Sequence, residues 1–245
     1  MNILSHIENN CSHGKKLLAR LIDPDDISCL DELIDLARRA EQYEVDYLFF
    51  GGSLITTHLP FNAVEVLRQT TRIPVVLFPS SPMQINPHAH AMLFLSLISG
   101  RNPEFLIGHH VVAAPAIRAA NLETIPTGYM LVNCGAPTTA HYISHSLPLP
   151  YNKPEIAAAT ALAGEMLGLK LIYLDGGSGA EKPVSPGMVS AVRKTVGMPL
   201  IVGGGIRSAK DAINLYEAGA DMLVVGNSAE ENPMLIEELS LLRKN

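Results

Sequence analysis

The chain has 245 residues, of which 47% are hydrophobic, and its mean hydropathy of +0.20 favours one large buried core over a disordered chain. The formal net charge of −6 argues against a general nucleic-acid-binding protein, because phosphate backbones require a basic surface. Cys11, Cys29 and Cys134 have no CxxC spacing and therefore predict reduced thiols in a cytoplasmic protein.

Eight apolar segments predict strands at residues 17–23, 45–50, 74–78, 92–97, 129–133, 171–175, 200–203 and 222–226. Several are nearly continuous apolar runs, which is typical of parallel strands covered on both faces. Helical patterns separate most of them: residues 30–43 have amphipathic spacing, and an N-cap residue precedes a first-turn proline at Asn102-Pro103 and Ser185-Pro186. This alternation predicts one TIM (β/α)8-barrel domain over residues 1–245.

Two segments interrupt the alternation. Residues 79–88 contain Pro79, Pro82 and Pro87 and have no helical period, which predicts an irregular segment in place of the third helix. Residues 134–153 form a second long, proline-containing loop; long loops are usually functional, although a surface excursion is the alternative. The longest apolar-rich stretch, residues 91–99, is too short to cross a bilayer, so we expect at most peripheral membrane contact.

Three strands in the second half of the predicted barrel end in glycine. The segments are Asp175-Gly176-Gly177-Ser178-Gly179, Gly203-Gly204-Gly205 and Gly226-Asn227. Glycine allows backbone N–H groups to approach an anion because no Cβ intervenes. Since the carboxyl ends of all strands in a TIM barrel face one mouth, the three segments predict a phosphate-binding site there.

Acidic and hydroxyl side chains follow other strands at the same mouth. Asp23 ends the first strand in Asp23-Pro24-Asp25-Asp26, and these carboxylates suit a hard cation such as Mg²⁺. A turn with an N-cap is the alternative for this motif. Ser53 follows Gly51-Gly52 after the second strand, where it is either a Mg²⁺ ligand or an ordinary loop residue.

Tyr173 and Asp175 are two residues apart and therefore share one side of the sixth strand. A carboxylate inside a barrel needs a partner, which favours a functional Asp175, whereas Tyr173 could be a core aromatic residue. Among the nine histidines, only His141 and His145 have a spacing familiar for zinc ligands. They lie in a proline-rich segment without an acidic third ligand nearby, so we interpret the histidines as surface or loop residues.

Several motifs together resemble one family. They are Leu21-Ile22-Asp23-Pro24-Asp25, Ser99-Gly100-Arg101-Asn102-Pro103-Glu104, Lys153-Pro154-Glu155, Tyr173–Ala180, Gly203-Gly204-Gly205-Ile206-Arg207 and Gly226-Asn227. In this order they resemble the geranylgeranylglyceryl phosphate synthase family over roughly residues 14–235. The resemblance implies a modified TIM barrel without a regular third helix, in agreement with the break at residues 79–88.

The resemblance also implies an activity: Mg²⁺-dependent transfer of a prenyl group, geranylgeranyl, from a polyprenyl diphosphate to sn-glycerol 1-phosphate, by a homo-oligomer. Asp23 and Ser53 would be the Mg²⁺ ligands, and Asp175 and Tyr173 would be catalytic. The residues implied to hold glycerol 1-phosphate are Tyr173, Leu174, Asp175, Gly176, Gly177, Ser178, Gly179, Gly204, Gly205, Gly226 and Asn227.

The chain departs from the family pattern at two positions. Asp175 stands where the family usually has glutamate, and Asp26 stands where a lysine is common. Lys15 or Lys16 could compensate for that lysine, or diphosphate binding could depend more on the metal.

A prenyl tail would need an apolar groove. Candidates for its lining, for which core packing is equally plausible, are Phe78, Leu93, Phe94, Leu95 and Leu97. Two alternatives share the glycine segments: a phosphosugar isomerase or synthase with a polar mouth, and a non-catalytic phosphometabolite-binding barrel. The presence of Asp23 and Asp175 favours an enzyme over the non-catalytic barrel.

Overall fold

The computed structural model describes residues 2–56, 62–226, 232 and 234–243. Its strands are β1 (Leu17–Ile22), β2 (Tyr47–Phe50), β3 (Val75–Leu77), β4 (Ala91–Leu97), β5 (Glu123–Leu131), β6 (Leu171–Asp175), β7 (Leu200–Gly203) and β8 (Met222–Val225). They form a closed barrel in chain order, and β8 pairs with β1. All neighbouring strands are parallel, so the predicted TIM barrel is confirmed.

The helices lie between the strands and at both ends of the described chain. They are α1 (Ile3–Ser12), α2 (Leu30–Gln42), α3 (Ala63–Thr70), α4 (His109–Ala119), α5 (Thr139–Ser144), α6 (Pro154–Met166), α7 (Pro186–Arg193), α8 (Ala209–Glu217) and α9 (Met234–Leu242). A π-helical turn, Glu104–Gly108, leads directly into α4. Within the described residues, no helix is long and apolar enough to cross a membrane.

Strand alternation divides the core into two layers. Leu17, Ala19 and Tyr47 face the barrel interior, whereas Leu18 and Ile22 pack towards the helices. Helix α1 closes the amino-terminal end of the barrel: its Ile3 and Ile7 are fully buried against the interior layer. This closure leaves the carboxyl end of the barrel as the open mouth.

The break predicted between the third and fourth strands is confirmed. Residues 78–90 are all described and contain only the 3-10 turn Pro82–Gln84, in place of the α-helix that usually follows the third strand of a TIM barrel. Helix α3 follows the second strand instead. Ser81 starts this turn, since its side chain accepts a hydrogen bond from Met83 N, and Pro82 follows at the first position. The chain therefore passes from β3 to β4 close to the mouth, without the helix that would cover this side of the barrel.

Two sequence expectations were wrong in detail. Strand β5 begins at Glu123, six residues before the predicted start at 129, because Pro126 and polar residues at its beginning obscure the apolar pattern. The predicted loop at 134–153 contains helix α5. The Thr138 backbone N–H donates to Nδ1 of His141 at 3.1 Å, in the position where a capping box ordinarily has Glu or Gln.

Candidate active site

Asp175 lies at the end of β6 and is only 6% exposed. Its Oδ2 accepts a hydrogen bond from Tyr129 Oη at 2.5 Å, and its Oδ1 accepts one from Gly177 N at 2.8 Å. The partner that a buried carboxylate requires is therefore present, although Tyr129 is absent from the residues predicted for the site. The β5–β6 register places Tyr129 directly opposite Tyr173, and this pairing between strands is not recorded in the local sequence pattern.

Burial dominates the acid–base properties of this group. Desolvation raises the pKa of Asp175, and the hydrogen bonds from Tyr129 and Gly177 and the charge of His141 partly oppose that rise. Burial also raises the pKa values of Tyr129 and Tyr173, and the negative charge of Asp175 adds to both shifts. A carboxylate with a raised pKa is a better proton acceptor than an ordinary one, so Asp175 is suited to general-base chemistry.

Aromatic rings fix the walls around Asp175. Tyr173 stacks on Phe78 at a centroid distance of 5.3 Å and an interplanar angle of 16°. Tyr129 meets Tyr173 edge to face at 5.5 Å and meets Phe78 in the same way at 5.8 Å. The three rings hold the Tyr129 hydroxyl towards Asp175, since each ring restricts the rotation of its neighbours.

The glycine segments meet beside Asp175 as predicted from their positions at strand ends. Gly204 has φ +80°, and a Cβ there would lie 2.7 Å from Gly177 N and 2.8 Å from Gly176 N. No side chain fits between these backbone groups, which explains glycine at this position. We call the resulting cavity the cradle; it has a volume of about 560 Å³ including the solvent at its opening.

Most of the residues predicted to bind phosphate line the cradle. Those that do are Tyr173, Asp175, Gly177, Ser178, Gly179, Gly204, Gly205 and Gly226. Leu174 does not, because it alternates with its neighbours and packs towards the helices. Gly176 donates its N–H to Gly203 O at 3.0 Å, and Asn227 lies outside the described residues.

Arg207 lines the cradle although it was not among the predicted site residues. Its Nη1 donates to Glu181 O at 3.2 Å, so the guanidinium is held at the cradle's edge. It brings a positive charge to a site otherwise built largely from glycine and apolar residues. The basic residue that follows Gly203-Gly204-Gly205-Ile206 was the available sequence signal.

Asp23 and Ser53 lie at adjacent strand ends of the mouth. Asp23 N-caps the 3-10 turn Pro24–Asp26 by accepting from Asp25 N at 3.1 Å, and its carboxylate packs directly over Gly52, the residue before Ser53. Asp25 accepts hydrogen bonds from Thr56 N and Oγ1 at 2.9 and 2.8 Å, so it holds the loop after β2.

Asp23 and Ser53 fit a magnesium ion that takes its remaining ligands from water and phosphate. The described part of the chain contains no group of three or more His, Cys, Asp or Glu residues arranged to hold a metal. A carboxylate and a hydroxyl are nevertheless hard oxygen donors, and Mg²⁺ commonly takes one or two protein ligands together with water and phosphate oxygens.

The expectation that Lys15 or Lys16 compensates for the lysine replaced by Asp26 is wrong. Both lysines precede β1 and therefore lie at the end of the barrel opposite the mouth. Lys15 Nζ pairs with Asp46 at 2.9 Å, and Lys16 Nζ donates to Ala220 O at 2.8 Å.

A second cavity, open to solvent on one side, extends from the mouth towards α4 and has a volume of about 820 Å³ including the solvent at its opening; we call it the groove. All five candidates for an apolar lining contribute to it: Phe78, Leu93, Phe94, Leu95 and Leu97. Residues 79–82, in the irregular segment between β3 and β4, also line the groove, as do Ser53 and Tyr129. Leu93 and Leu97 are 0% and 3% exposed, so they belong to the packed core as well as to the groove wall.

The interpretation of the histidines as surface or loop residues is wrong for His109 and His110. Both lie on α4 and line the groove, where His110 contacts the Phe94 ring at a centroid distance of 4.4 Å and His109 contacts Phe105 at 4.7 Å. Burial lowers the pKa of His110, which favours its neutral form. These imidazoles therefore contribute aromatic surface to the groove.

The fold and the site define the class of the protein: a TIM barrel in which an apolar groove adjoins a glycine-lined cradle at the mouth. The family model described as the PcrB family matches residues 13–241, and the chain belongs to this family. Among its relatives are proteins named geranylgeranylglyceryl phosphate synthase, so the resemblance seen in the sequence motifs is confirmed.

The similarity covers nearly the whole chain. The Spirosoma linguale relative is 51% identical over 227 residues, which cover 93% of this chain and 91% of the relative. The Pyrococcus furiosus relative is 42% identical over 88% of this chain and 85% of its own. A crystal structure of the Thermoplasma acidophilum (S)-3-O-geranylgeranylglyceryl phosphate synthase, in complex with its substrate sn-glycerol-1-phosphate, has a TM-score of 0.90 at 30% identity and covers 98% of both chains.

Proposed function

We propose that this protein is a prenyltransferase that joins a geranylgeranyl group, from its diphosphate, to sn-glycerol 1-phosphate and forms an ether-linked prenylglyceryl phosphate. One observation carries the proposal: the hydrogen bond from Tyr129, which lines the groove, to Asp175, which lines the cradle, connects a site for an apolar chain with a site for a phosphate. The names of the relatives and the substrate in the Thermoplasma acidophilum structure support the two substrates.

In the proposed reaction, the glycerol hydroxyl attacks the allylic carbon of the prenyl diphosphate. A bond forms between this oxygen and the carbon, the bond from the carbon to the diphosphate oxygen breaks, and diphosphate leaves with the electron pair. Asp175 orients the hydroxyl and accepts its proton, a role that its raised pKa favours. Tyr129 and the Gly177 amide hold the carboxylate in one position, so little reorganisation is required during the reaction.

The cradle would hold the glycerol phosphate, and Tyr173 would help to position it. The Gly176 and Gly177 N–H groups already donate to Gly203 O and Asp175, so the phosphate would be bound by the backbone N–H groups of Gly179, Gly204 and Gly205 and by the Arg207 guanidinium, which line the cradle. The groove would hold the prenyl tail, since each CH₂ group removed from water contributes about 0.8 kcal/mol. A phosphosugar enzyme would have no use for an apolar groove of this size beside its cradle.

Asp23 and Ser53 would hold Mg²⁺ at the same mouth. When bound, the ion would neutralise negative charge on the diphosphate and so make it a better leaving group. Asp23 is already fixed by its N-cap hydrogen bond from Asp25 N, which keeps its carboxylate at the strand end. The side chains of Asp23 and Ser53 offer only oxygen donors, which Mg²⁺ prefers.

We further propose that the protein is a homo-oligomer and that α4 contributes to its interface. Val111 and Val112 on α4 and Ile107 on the preceding turn are 67%, 68% and 59% exposed. The other exposed positions of α4 are alanine or proline except for Arg118. A second copy of the chain would cover this apolar face. Val111→Glu should lower the mass measured by analytical ultracentrifugation, whereas an unchanged mass would remove α4 from the interface.

The activity is tested with purified protein, MgCl₂, radiolabelled sn-glycerol 1-phosphate and geranylgeranyl diphosphate, with the product identified by mass spectrometry. We expect an ether-linked geranylgeranylglyceryl phosphate, and little product when sn-glycerol 3-phosphate replaces the acceptor. Binding of glycerol 1-phosphate without turnover of prenyl diphosphates of any length would indicate the non-catalytic barrel instead. Turnover of a phosphosugar without a prenyl donor would indicate an isomerase.

A further inference from the structure

Phe78 follows β3 and lies at the junction of the groove and the cradle. It lines the groove, and its ring stacks on Tyr173, which lines the cradle, at a centroid distance of 5.3 Å. The same ring meets Tyr129 edge to face at 5.8 Å, and the Tyr129 hydroxyl donates to Asp175. Phe78 is therefore within one ring contact of the cradle and of the residue that holds the proposed base.

The loop that carries Ser53 also packs against Phe78. A side chain on Gly51 would collide with the Phe78 carbonyl oxygen, and Gly52 and Ser53 line the groove together with Phe78. In the proposed reaction, the allylic carbon is bonded to the diphosphate, which the metal on Ser53 would hold. The same carbon is attacked by the hydroxyl that Asp175 orients. It would therefore lie beside Phe78, between these two groups.

The groove wall offers no charged side chain to this carbon. Positive charge develops on the carbon as its bond to the diphosphate breaks before the new bond to oxygen is complete. In the part of the chain that the structure describes, the residues lining the groove include no Asp, Glu, Lys or Arg. The face of an aromatic ring carries partial negative charge and attracts a cation, more strongly where water is excluded. An aromatic ring at the junction is therefore suited to stabilise the developing charge.

We propose that Phe78 is a catalytic residue whose ring stabilises the positive charge that develops on the allylic carbon. The proposal rests on the proposed function, which places that carbon at the junction. The bond from the carbon to the diphosphate breaks with its electron pair on the diphosphate, the glycerol oxygen forms the new bond, and Asp175 takes the proton. Phe78 would lower the barrier because its ring attracts the partly cationic carbon of the transition state more than the neutral carbon of the bound substrate.

Fluorination tests the charge of the ring without removing the ring. Each fluorine draws electron density from the ring face and changes the ring's size only slightly, so the contacts of Phe78 with Tyr129 and Tyr173 are kept. Mono-, di- and trifluorophenylalanine replace Phe78 in turn by nonsense suppression. Phe94 is the matched control, because it also lines the groove and meets another ring, that of His110, edge to face at 4.4 Å.

The rate of transfer is measured in a single turnover with geranylgeranyl diphosphate and sn-glycerol 1-phosphate. We expect the rate to fall stepwise with each fluorine on Phe78, to about tenfold below the unaltered protein for the trifluorinated ring, which corresponds to about 1.4 kcal/mol. Phe78→Leu should lose at least as much. The dissociation constants of both substrates should stay within about threefold, and trifluorination of Phe94 should change the rate by less than about twofold.

Other outcomes overturn the proposal. A rate that does not change with fluorination of Phe78 would contradict it, and a loss in Phe78→Leu alone would assign the ring to packing. Equal losses from fluorination of Phe78 and of Phe94 would show a general effect of fluorine in the groove. Weaker substrate binding with an unchanged rate would make Phe78 a binding residue. Unaltered protein that forms no ether product would instead contradict the proposed function itself, and that result is seen before any variant is made.

Discussion

Replacing Asp175 with asparagine tests the role of the carboxylate with little change of shape. In the unaltered protein, Gly177 N lies 2.8 Å from Asp175 Oδ1, and in Asp175→Asn the amide oxygen can still accept this hydrogen bond. The amide nitrogen would then face Tyr129 Oη, now 2.5 Å from Oδ2, and the Tyr129 hydroxyl can rotate to accept. Both hydrogen bonds are therefore replaced, and we expect the variant to fold.

The expected loss follows from the missing charge. A positioned general base typically contributes about 10²–10⁴-fold in rate, which corresponds to about 2.7–5.4 kcal/mol of transition-state stabilisation. We expect kcat to fall by that factor, while the dissociation constant of glycerol 1-phosphate changes by less than about threefold, because the proposed phosphate-binding groups belong to the glycine segments and Arg207 rather than to Asp175. Tyr129→Phe, which removes one hydrogen bond but keeps the carboxylate, should lower kcat by only about tenfold.

The assay is single-turnover transfer with radiolabelled glycerol 1-phosphate, together with calorimetric binding and circular dichroism of each variant. Normal secondary structure, near-normal binding and a large loss of kcat would support Asp175 as the proton acceptor. An Asp175→Asn enzyme with unchanged kcat would contradict this role of Asp175, since proton removal would then be carried by water or by the departing diphosphate. Parallel losses in binding and rate would make Asp175 a binding residue instead.

Three further predictions concern pH, the metal and the cradle. Burial raises the pKa of Asp175, and a general base must be ionised, so kcat should fall as the pH is lowered through that pKa. Tyr129→Phe removes a hydrogen bond that lowers the pKa, so the acid limb of the pH profile should move to higher pH in this variant. If the limb does not move, it belongs to another group. Asp23→Asn should abolish Mg²⁺-stimulated transfer without unfolding the barrel, as judged by activity across a MgCl₂ titration; near-normal activity at low Mg²⁺ would show that the metal is bound elsewhere. Gly226→Ala should weaken the binding of glycerol 1-phosphate, measured by calorimetry, about tenfold, or about 1.4 kcal/mol, because the new Cβ would enter the cradle. The nearest protein atom to that Cβ would be in Leu21 at 3.5 Å, an ordinary contact, so the fold should be unaffected. Unchanged affinity would therefore exclude Gly226 from the phosphate site.

Gly204 and Gly226 differ in what a side chain at each position would contact. The sequence identifies the three glycine segments but does not distinguish glycines that face a ligand from those that the backbone needs. At Gly204 a side chain would strike Gly176 N and Gly177 N at a positive φ, so its replacement would disturb the fold as well as the ligand. Gly226 has no such obstacle, which makes it the better probe.

The barrel and much of the site could be predicted from local patterns. Apolar runs and helix signals identified the eight strands, and position at a strand end brought Asp23, Asp175 and the glycines to one mouth. Two errors were avoidable by the same reasoning. Leu174 alternates with Tyr173 and Asp175 and must face the other way, and Lys16 precedes β1 and must lie at the opposite end.

Other features depend on contacts that no local pattern records. Tyr129 reaches Asp175 only because β5 and β6 pair in one register, and the polar start of β5 concealed that strand's length. Helix α5 was missed because His141 occupies a capping position that Glu or Gln usually fills. The burial that raises the pKa of Asp175 likewise results from the assembled barrel rather than from neighbouring residues in the sequence.

A crystal structure with sn-glycerol 1-phosphate and a non-cleavable geranylgeranyl thiodiphosphate would show where both substrates bind relative to Asp175. We expect the glycerol phosphate on the backbone of Gly204 and Gly205, the attacking hydroxyl within hydrogen-bond distance of Asp175, and the prenyl chain along Phe78 and Phe94. A prenyl chain bound outside the groove, or a glycerol hydroxyl remote from Asp175, would contradict this arrangement.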